Sequence, residues 1–297
     1  MRIGIIGGGA VGLLTAAYFS NHYDVTVYTR RQEQAEQLCT HGLTVICGDE
    51  RTTHRVHAEP FVRETNVDVL FIAVKQYDLT NILKTNMHML RADAVMFLQN
   101  GMGHVSHLPH MPHHHIALAV VEHGAFKIDD TTVSHTGVGK TKWSVWRGKK
   151  ETFSFLYTTD ARFPFQYVGD WETMLIEKLM VNVAINPLTA LLQVPNGMLV
   201  THAPYRQAME QLFLEVTSIF QIEQRERIWK HIETVCQQTA ANRSSMLCDI
   251  EAGRMTELDA ILGYVIERAN ERCVPAPIST FLYALMKGKQ LEGETER

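Results

Sequence analysis

The sequence predicts an α/β fold, with a doubly wound parallel sheet in its N-terminal part and an all-α domain in its C-terminal part. A glycine-rich turn follows an apolar run at the start of the chain. Short apolar runs then alternate with helix-prone stretches, which is the pattern of repeated β-α-β units. From about Trp171 long helical patterns replace this alternation. We therefore expect a first domain over residues 1–168 and a second over residues 169–297.

The hydrophobic pattern places the individual elements. Short apolar or alternating runs predict strands. These are Arg2–Ile6, Asp24–Tyr28, Val67–Val74, Ala94–Leu98, Ile116–Val121, Thr131–His135 and Thr141–Trp146. Longer stretches with apolar residues at helical spacing, or with many helix-forming residues, predict helices. These are Ala10–Ser20, Gln32–Thr40, Asp78–Leu90, Glu172–Leu192 and Tyr205–Glu226.

Composition narrows the class of protein. The chain has 297 residues, of which 45% are hydrophobic, and this length suits about two globular domains. The net charge of −4 argues against a nucleic-acid partner. No apolar run reaches the roughly 18 residues of a membrane span, so no membrane partner is expected. The five cysteines are scattered without a CxxC pair and indicate reduced thiols in a cytoplasmic protein. The sequence leaves the oligomeric state open, with a homodimer as one alternative.

The first turn, Gly7-Gly8-Gly9-Ala10-Val11-Gly12, carries a G-x-G-x-x-G pattern. It follows a predicted strand and opens a predicted helix, which is the context that a dinucleotide-binding turn requires. Gly7 permits the tight turn, Gly9 allows close approach of a pyrophosphate, and Gly12 allows helix and strand to pack closely. The alternative is a tight turn that binds no ligand.

The end of the second predicted strand indicates which dinucleotide is bound. An NAD site usually has Asp or Glu there to bind the ribose 2′-OH, whereas this chain has Arg30-Arg31. An arginine pairs with a 2′-phosphate, so we expect NADPH, with Arg30 as the contact. The alternative is that both arginines are solvated. Lys75 and Asn100 follow two further strands and lie where a doubly wound sheet binds ligands.

The predicted helix from Glu172 carries polar residues on an apolar surface. Lys178, Asn182 and Asn186 recur every four residues and share one face. A buried lysine has a lowered pKa, which suits proton transfer near neutral pH. Pro187 favours a helix break at Asn186. The alternative is a lysine that reaches solvent above two hydrogen-bonded core asparagines, and periodicity alone does not separate the two interpretations.

Two further sets of polar residues can be explained either by a binding site or by exposure to solvent. Asn242, Ser244, Ser245 and Glu257 lie in the C-terminal helices and form either an acid-binding set or a solvated helix face. Six histidines between His104 and His115 suggest a metal site. The spacing lacks the carboxylate or cysteine partners of structural zinc, so we expect a solvated loop and no metal.

The chain resembles the ketopantoate reductase family over nearly its whole length. The resemblance rests on Gly7–Gly12, Lys75, Asn100-Gly101-Met102-Gly103, Lys178–Ala190, Pro195-Asn196-Gly197, Ser244–Asp249 and Thr256–Asp259. It implies a Rossmann-type first domain that binds NADPH, a helical second domain, and a role in pantothenate and coenzyme A biosynthesis. The implied reaction is reduction of 2-dehydropantoate (ketopantoate), a 2-oxo acid, to pantoate.

The resemblance also implies residue roles. Lys178 matches the catalytic lysine that protonates the C2 alkoxide. Substrate contacts are implied for Asn100, Lys178, Asn182, Asn186, Asn196, Asn242, Ser244, Ser245 and Glu257. Cofactor contacts are implied for Gly7, Gly8, Gly9, Ala10, Val11, Gly12, Arg30, Lys75, Asn100, Ala125 and Glu257.

The sequence departs from the family around Ala125, where Gly124 and Phe126-Lys127 stand, and at Leu262-Gly263. These departures leave room for a reductase of another 2-oxo acid. A different class of function is a dinucleotide-sensing module without catalysis. Such a module has no need of Lys178 beside a substrate pocket.

Overall fold

A computed structural model describes residues 1–62, 64–158 and 160–295 of the chain, with side chains described as far as 292. The chain forms two compact units. The first unit comprises Met1–Gln99 and His104–Leu175. The second unit comprises the short segment Asn100–Gly103 and the chain from Ile176 onward.

The first unit is built on an eight-stranded sheet. The strands of the chain are β1 (Arg2–Ile6), β2 (Asp24–Thr29), β3 (Leu43–Cys47), β4 (Glu50–His54), β5 (His57–Pro60), β6 (Val67–Ile72), β7 (Ala92–Phe97), β8 (His115–Val121), β9 (Gly124–Lys127), β10 (Thr132–Gly137), β11 (Thr141–Arg147) and β12 (Phe165–Tyr167). The large sheet has the order β12-β11-β8-β7-β6-β1-β2-β5. All its pairs are parallel except β8 with β11. The order runs outward from β1 in both directions, which confirms the predicted doubly wound sheet.

The helices of the chain are α1 (Ala10–Ser20), α2 (Gln32–His41), α3 (Gln76–Thr85), α4 (Trp171–Leu192), α5 (Met198–Thr201), α6 (Ala203–Ile219), α7 (Arg225–Gln238), α8 (Ser245–Glu251), α9 (Tyr264–Glu271) and α10 (Pro277–Thr295).

Aromatic packing fixes α1 against the large sheet. Phe19 of α1 packs on Phe71 and Phe165, with ring centroids 5.1 and 5.6 Å apart. Tyr18 stacks on Phe163 at 5.0 Å. Because α1 is buried on nearly all sides, its apolar surface is continuous rather than a stripe.

A second, four-stranded sheet with the order β4-β3-β10-β9 covers the other side of α1. The Tyr18 hydroxyl lies 2.7 Å from Nδ1 of His135 on β10, so a buried hydrogen bond joins helix and sheet. The strand predictions do not include β3, β4, β5, β9 and β12. The β3–β4 hairpin has a detectable signal, because Gly48-Asp49 separates two β-rich runs and Gly48 has φ +59°.

The second unit is helical, as predicted. By length and composition α4 qualifies as a membrane span in the described part of the chain, and 72% of its apolar window is buried. Glu215 of α6 accepts hydrogen bonds of 2.8 Å from the backbone N–H groups of Ile278 and Ser279, which caps α10. A five-residue π-helix over Asp259–Gly263 leads into α9. Such turns often occur at functional sites.

Three helix predictions need correction. The helix expected over Asp78–Leu90 ends at Thr85, and a 3₁₀ turn follows over Met87–Met89. The helix break expected at Asn186 is wrong, because α4 runs through Pro187 to Leu192. Residues 181–190 are all buried, so packing on both sides of Pro187 outweighs the one lost hydrogen bond. The single helix expected over Tyr205–Glu226 is two helices, α6 and α7. Gln221 has φ +53°, and this left-handed residue turns the chain between them.

The histidine-rich stretch is only partly a solvated loop. His104 is buried and stacks on Phe97 with ring centroids 5.7 Å apart. His113 is buried and lies 2.6 Å from the carbonyl oxygen of Leu90. Among the described residues no group of three or more His, Cys, Asp or Glu is arranged to hold a metal ion. The apolar surroundings lower the pKa of His104 to about 3.

This burial predicts acid sensitivity. In the unfolded chain His104 takes up a proton below its ordinary pKa of 6.5, whereas the folded chain excludes that proton down to about pH 3. Its contribution to stability is therefore complete above pH 6.5 and falls as the pH is lowered toward 3. We expect His104→Leu to weaken the pH dependence of the denaturant midpoint between pH 6.5 and 4. The same substitution at exposed His110 is the control. Equal pH slopes in both variants and the wild type would contradict the prediction.

Candidate functional site

The glycine-rich turn has the geometry of a phosphate-binding loop. Gly7 has φ +122°, which favours glycine, and its N–H bonds the carbonyl of Tyr28 at 2.9 Å. A Cβ at Gly12 would lie 1.9 Å from the Gly7 carbonyl oxygen, so only glycine lets α1 begin here. A Cβ at Gly9 would meet nothing within 4 Å. The turn is therefore open at Gly9, and the first N–H groups of α1, from Ala10, Val11 and Gly12, have no hydrogen-bond acceptor within the helix.

The two arginines after β2 differ in their surroundings. Arg31 makes two hydrogen bonds, of 2.5 and 2.6 Å, to the Asp130 carboxylate. The Arg30 side chain is 83% exposed, and its closest carboxylate oxygen is that of Asp78 at 3.8 Å. Arg31 is thus committed to an internal ion pair, whereas the Arg30 guanidinium is available to a ligand.

The end of β6 lies directly against the glycine-rich turn. The Ala73 N–H bonds the carbonyl of Ile6 at 2.8 Å, and a Cβ at Gly7 would meet the Ala73 carbonyl at 3.0 Å. Lys75 follows as a half-buried residue at the start of α3. Ala125 lies on β9, and β9 contacts α1. The first unit therefore brings together the glycines, Arg30 and Lys75 near the carboxyl ends of β1, β2 and β6.

Asn100 belongs to the second unit although it follows a strand of the first. Its amide Nδ2 donates a 3.1 Å hydrogen bond to Oε2 of Glu257. Gly101 has φ +76°, and a Cβ there would lie 2.3 Å from the carbonyl oxygen of Ala260 in the π-helix. This close contact holds the segment against the π-helix. The structure thus joins two predicted site residues that are far apart in sequence.

The polar stripe of α4 is buried. Asn182 and Asn186 are 6% and 9% exposed, and Lys178 is half-buried. The Asn182 Nδ2 atom is buried and has no hydrogen-bond partner among the described residues. A buried amide without a partner costs about 1–3 kcal/mol. The Asn182 Nδ2 atom can therefore pair with a ligand group without breaking a hydrogen bond within the described part of the chain.

A hydrogen-bonded link joins α4 to the start of α8. The Thr189 hydroxyl lies 2.8 Å from the Ser244 hydroxyl and 3.1 Å from the Asn186 carbonyl oxygen. Ser244 caps α8 by accepting from the Leu247 N–H at 3.1 Å. Ser245, the first residue of α8, is exposed. Ser244 therefore supports the helix start, and the Ser245 hydroxyl is accessible to a ligand.

A second link places Asn196. Its Nδ2 donates to the Thr239 hydroxyl at 2.9 Å, and its backbone N–H donates to the Asn242 carbonyl at 2.9 Å. The Oδ1 atom of Asn196 is buried without a partner among the described residues. The Asn242 side chain is exposed. Thr189 and Thr239 are residues that sequence reasoning missed as supports of the site. No local pattern marks them, because their partners lie far away in the chain.

The site residues thus form two sets. The first unit holds the glycine-rich turn, Arg30, Lys75 and Ala125. The second unit holds Asn100, Lys178, Asn182, Asn186, Asn196, Asn242, Ser244, Ser245 and Glu257. The first set suits a dinucleotide, and the second offers amides, hydroxyls, a lysine and a carboxylate to a small polar acid.

Comparison with known proteins identifies the family of the chain. The ketopantoate reductase PanE/ApbA family matches residues 3–148, and the C-terminal part of the same family matches residues 170–290. The 2-dehydropantoate 2-reductase of Bacillus subtilis is 42% identical over 301 residues, covering 100% of this chain and 99% of the relative.

Solved structures share the fold. The crystal structure of a probable 2-dehydropantoate 2-reductase from Bacillus subtilis has a TM-score of 0.88 at 41% identity, covering 97% of this chain and 100% of that one. D-mandelate dehydrogenase, solved with NADH and anilino(oxo)acetate, has a TM-score of 0.88 at 20% identity, covering 99% and 100%. Fold and site define a two-domain oxidoreductase with a Rossmann-type first domain. The chain belongs to the ketopantoate reductase family.

The contact at Gly101 yields a stability prediction. Gly101→Ala adds a methyl group 2.3 Å from the Ala260 carbonyl oxygen and strains a left-handed residue, so we expect a loss of about 3 kcal/mol. Gly48→Ala is the control, because it has φ +59° and open space around the added Cβ. There we expect only the strain of about 1 kcal/mol. Thermal unfolding of both variants measures the difference, and equal losses would show that the Gly101 contact is unimportant.

Proposed function

We propose that this protein reduces 2-dehydropantoate to pantoate with NADPH, as a step in pantothenate and coenzyme A biosynthesis in the cytoplasm. The observation that carries the proposal is the similarity, over the full length of both chains, to a curated 2-dehydropantoate 2-reductase at 42% identity. The second unit supports it, because its buried amides and its lysine suit a substrate with a ketone, a hydroxyl and a carboxylate.

The first unit fits a dinucleotide. Gly9 leaves room for a pyrophosphate beside unpaired N–H groups, and these favour an anion at the start of a helix. The exposed guanidinium of Arg30 favours NADPH over NADH, since it can make charge-assisted hydrogen bonds to a 2′-phosphate. Lys75 adds positive charge at the same edge of the sheet. When bound, the reduced nicotinamide supplies the hydride for C2 of the substrate.

Lys178 is the proposed catalytic residue. Hydride addition at C2 turns the ketone oxygen into an alkoxide, and the ammonium group of Lys178 stabilises this charge and then donates a proton to the oxygen. Charge that develops only in the transition state is stabilised most effectively by a group already held in place. The neighbouring turns of α4 place Asn182 and Asn186 on the same face as Lys178.

The other polar residues orient the substrate in this proposal. The accessible Ser245 hydroxyl binds the carboxylate, with Asn242 beside it. The Nδ2 of Asn182 and the Oδ1 of Asn196 are two buried site atoms without a partner among the described residues, and in this proposal they pair with oxygen and hydroxyl groups of the substrate. The Glu257 carboxylate, fixed by Asn100, accepts a hydrogen bond from a hydroxyl group of the substrate or the cofactor. These contacts hold the reacting carbon in one orientation.

A second candidate is reduction of a different 2-oxo acid. D-mandelate dehydrogenase shares the fold and was solved with anilino(oxo)acetate, which resembles a 2-oxo acid in carrying a carbonyl, here of an amide, next to its carboxylate. The unusual residues around Ala125 also leave the substrate open. NADPH oxidation with 2-dehydropantoate and with other 2-oxo acids separates the two candidates. No turnover of 2-dehydropantoate by the wild type, with turnover of another acid, would replace the first proposal by the second.

The lysine mechanism predicts a loss of turnover. Lys178→Ala removes the proton donor, and we expect kcat for 2-dehydropantoate to fall by at least about 100-fold. The control is Lys230→Ala, which removes an exposed lysine from α7 and leaves kcat unchanged. NADPH oxidation at saturating substrate measures both. Wild-type turnover by Lys178→Ala would rule out this role.

The Arg30 assignment predicts a change in cofactor preference. Arg30→Ala removes a charge-assisted contact, so we expect the NADPH dissociation constant to rise about tenfold or more while that of NADH hardly changes. Arg31→Ala is the matched control, because its guanidinium is held by Asp130. It leaves the ratio of the two constants unchanged. If Arg30→Ala also leaves that ratio unchanged, Arg30 does not contact the 2′-phosphate.

A further inference from the structure

Gln34 is a buried amide that touches the glycine-rich turn. It lies in the first turn of α2, and only 5% of it is exposed. Its Nε2 donates to the carbonyl oxygen of Gly8 at 2.8 Å and to that of Asp130 at 3.1 Å. Both amide protons are therefore used on backbone carbonyls, and the side chain clamps the turn to the loop before β10.

The contact explains why a glycine stands at position 8, where the dinucleotide motif allows any residue. G-x-G-x-x-G requires Gly7, Gly9 and Gly12 but not Gly8. A Cβ at Gly8 would lie 2.5 Å from Oε1 and 2.6 Å from Nε2 of Gln34. A side chain at position 8 would therefore displace the amide. Gly8 and Gln34 act together as one structural unit.

The direction of the Gly8 carbonyl decides where the next N–H points. The peptide bond between Gly8 and Gly9 is trans and planar, so its C=O and N–H point in opposite directions. Gln34 draws the C=O toward α2, and the Gly9 N–H is turned away from α2. In the described part of the chain no group accepts a hydrogen bond from this N–H. We propose that Gln34 is a positioning residue that aims the Gly9 N–H at the pyrophosphate of the dinucleotide.

An ion-pair cluster holds the other end of the clamp. The Asp130 carboxylate binds Arg31 at 2.5 Å and Lys127 Nζ at 2.8 Å. These two cations lower the pKa of Asp130, which keeps it ionised. The Asp130 backbone is thereby fixed where its carbonyl meets Gln34. Arg31 thus serves the turn indirectly, while the neighbouring Arg30 stays exposed.

This inference rests on the proposed dinucleotide binding, and its test separates the two. Gln34→Met keeps the length of the side chain and removes both donors. We expect its NADPH dissociation constant to rise about tenfold, the loss for one misdirected hydrogen bond to a charged group. Binding of adenosine 2′-monophosphate, which has the 2′-phosphate but no pyrophosphate, stays unchanged. Gln37→Met, the same substitution at an exposed position of α2, changes neither.

A second variant separates hydrogen bonding from shape. Gln34→Glu keeps the shape of the side chain but has an oxygen in place of the donor, so we expect it to weaken NADPH binding as Gln34→Met does. Wild-type affinity in either variant, or an equal loss for NADPH and adenosine 2′-monophosphate, would overturn the positioning role. A wild type that binds neither NADPH nor NADH would instead overturn the proposed function, and this inference with it.

Discussion

Because Gly12 has no side chain, α1 can pack closely against β1, and the packing of the first unit depends on this contact. Any other residue would place a Cβ 1.9 Å from the Gly7 carbonyl oxygen and push α1 away from β1. With glycine, α1 lies close enough for Phe19 to reach Phe71 on one side and for Tyr18 to reach His135 on the other. Both sheets therefore pack on one helix. The same close approach leaves the N-terminus of α1 beside the carboxyl end of β1, where an anion can bind.

The second unit depends on polar groups inside an apolar helix. A helix that is apolar on nearly all sides is stable only when buried, and α4 meets this condition. Burial makes each unpaired amide costly, by about 1–3 kcal/mol. Folding alone would favour apolar residues at positions 182 and 196. In the proposed function, substrate groups pair with these amide atoms and offset that cost.

The sequence could predict those features that depend on neighbouring residues. The glycine-rich turn, α1, β6 and the stripe on α4 follow from spacing within a single element. Gln34, Thr189 and Thr239 could not be found in this way, because their partners lie 26, 55 and 43 residues away. At Pro187, by contrast, the local sequence gives a prediction that is wrong. The local rule predicts a break, but tertiary packing keeps the helix continuous through it.

In the proposed function, dinucleotide binding and dinucleotide choice have separate physical origins. The proposed contacts to the pyrophosphate are backbone N–H groups, which glycine stereochemistry and the Gln34 clamp hold in place. These groups are the same for NADH and NADPH. In the proposed function, the choice between the two falls to Arg30, whose exposed side chain lies 3.8 Å from the carboxylate of Asp78. An exposed pair of this kind contributes about 0–1 kcal/mol, so a 2′-phosphate can displace the carboxylate at little cost. On this proposal, cofactor preference can change at this one position without change to the fold.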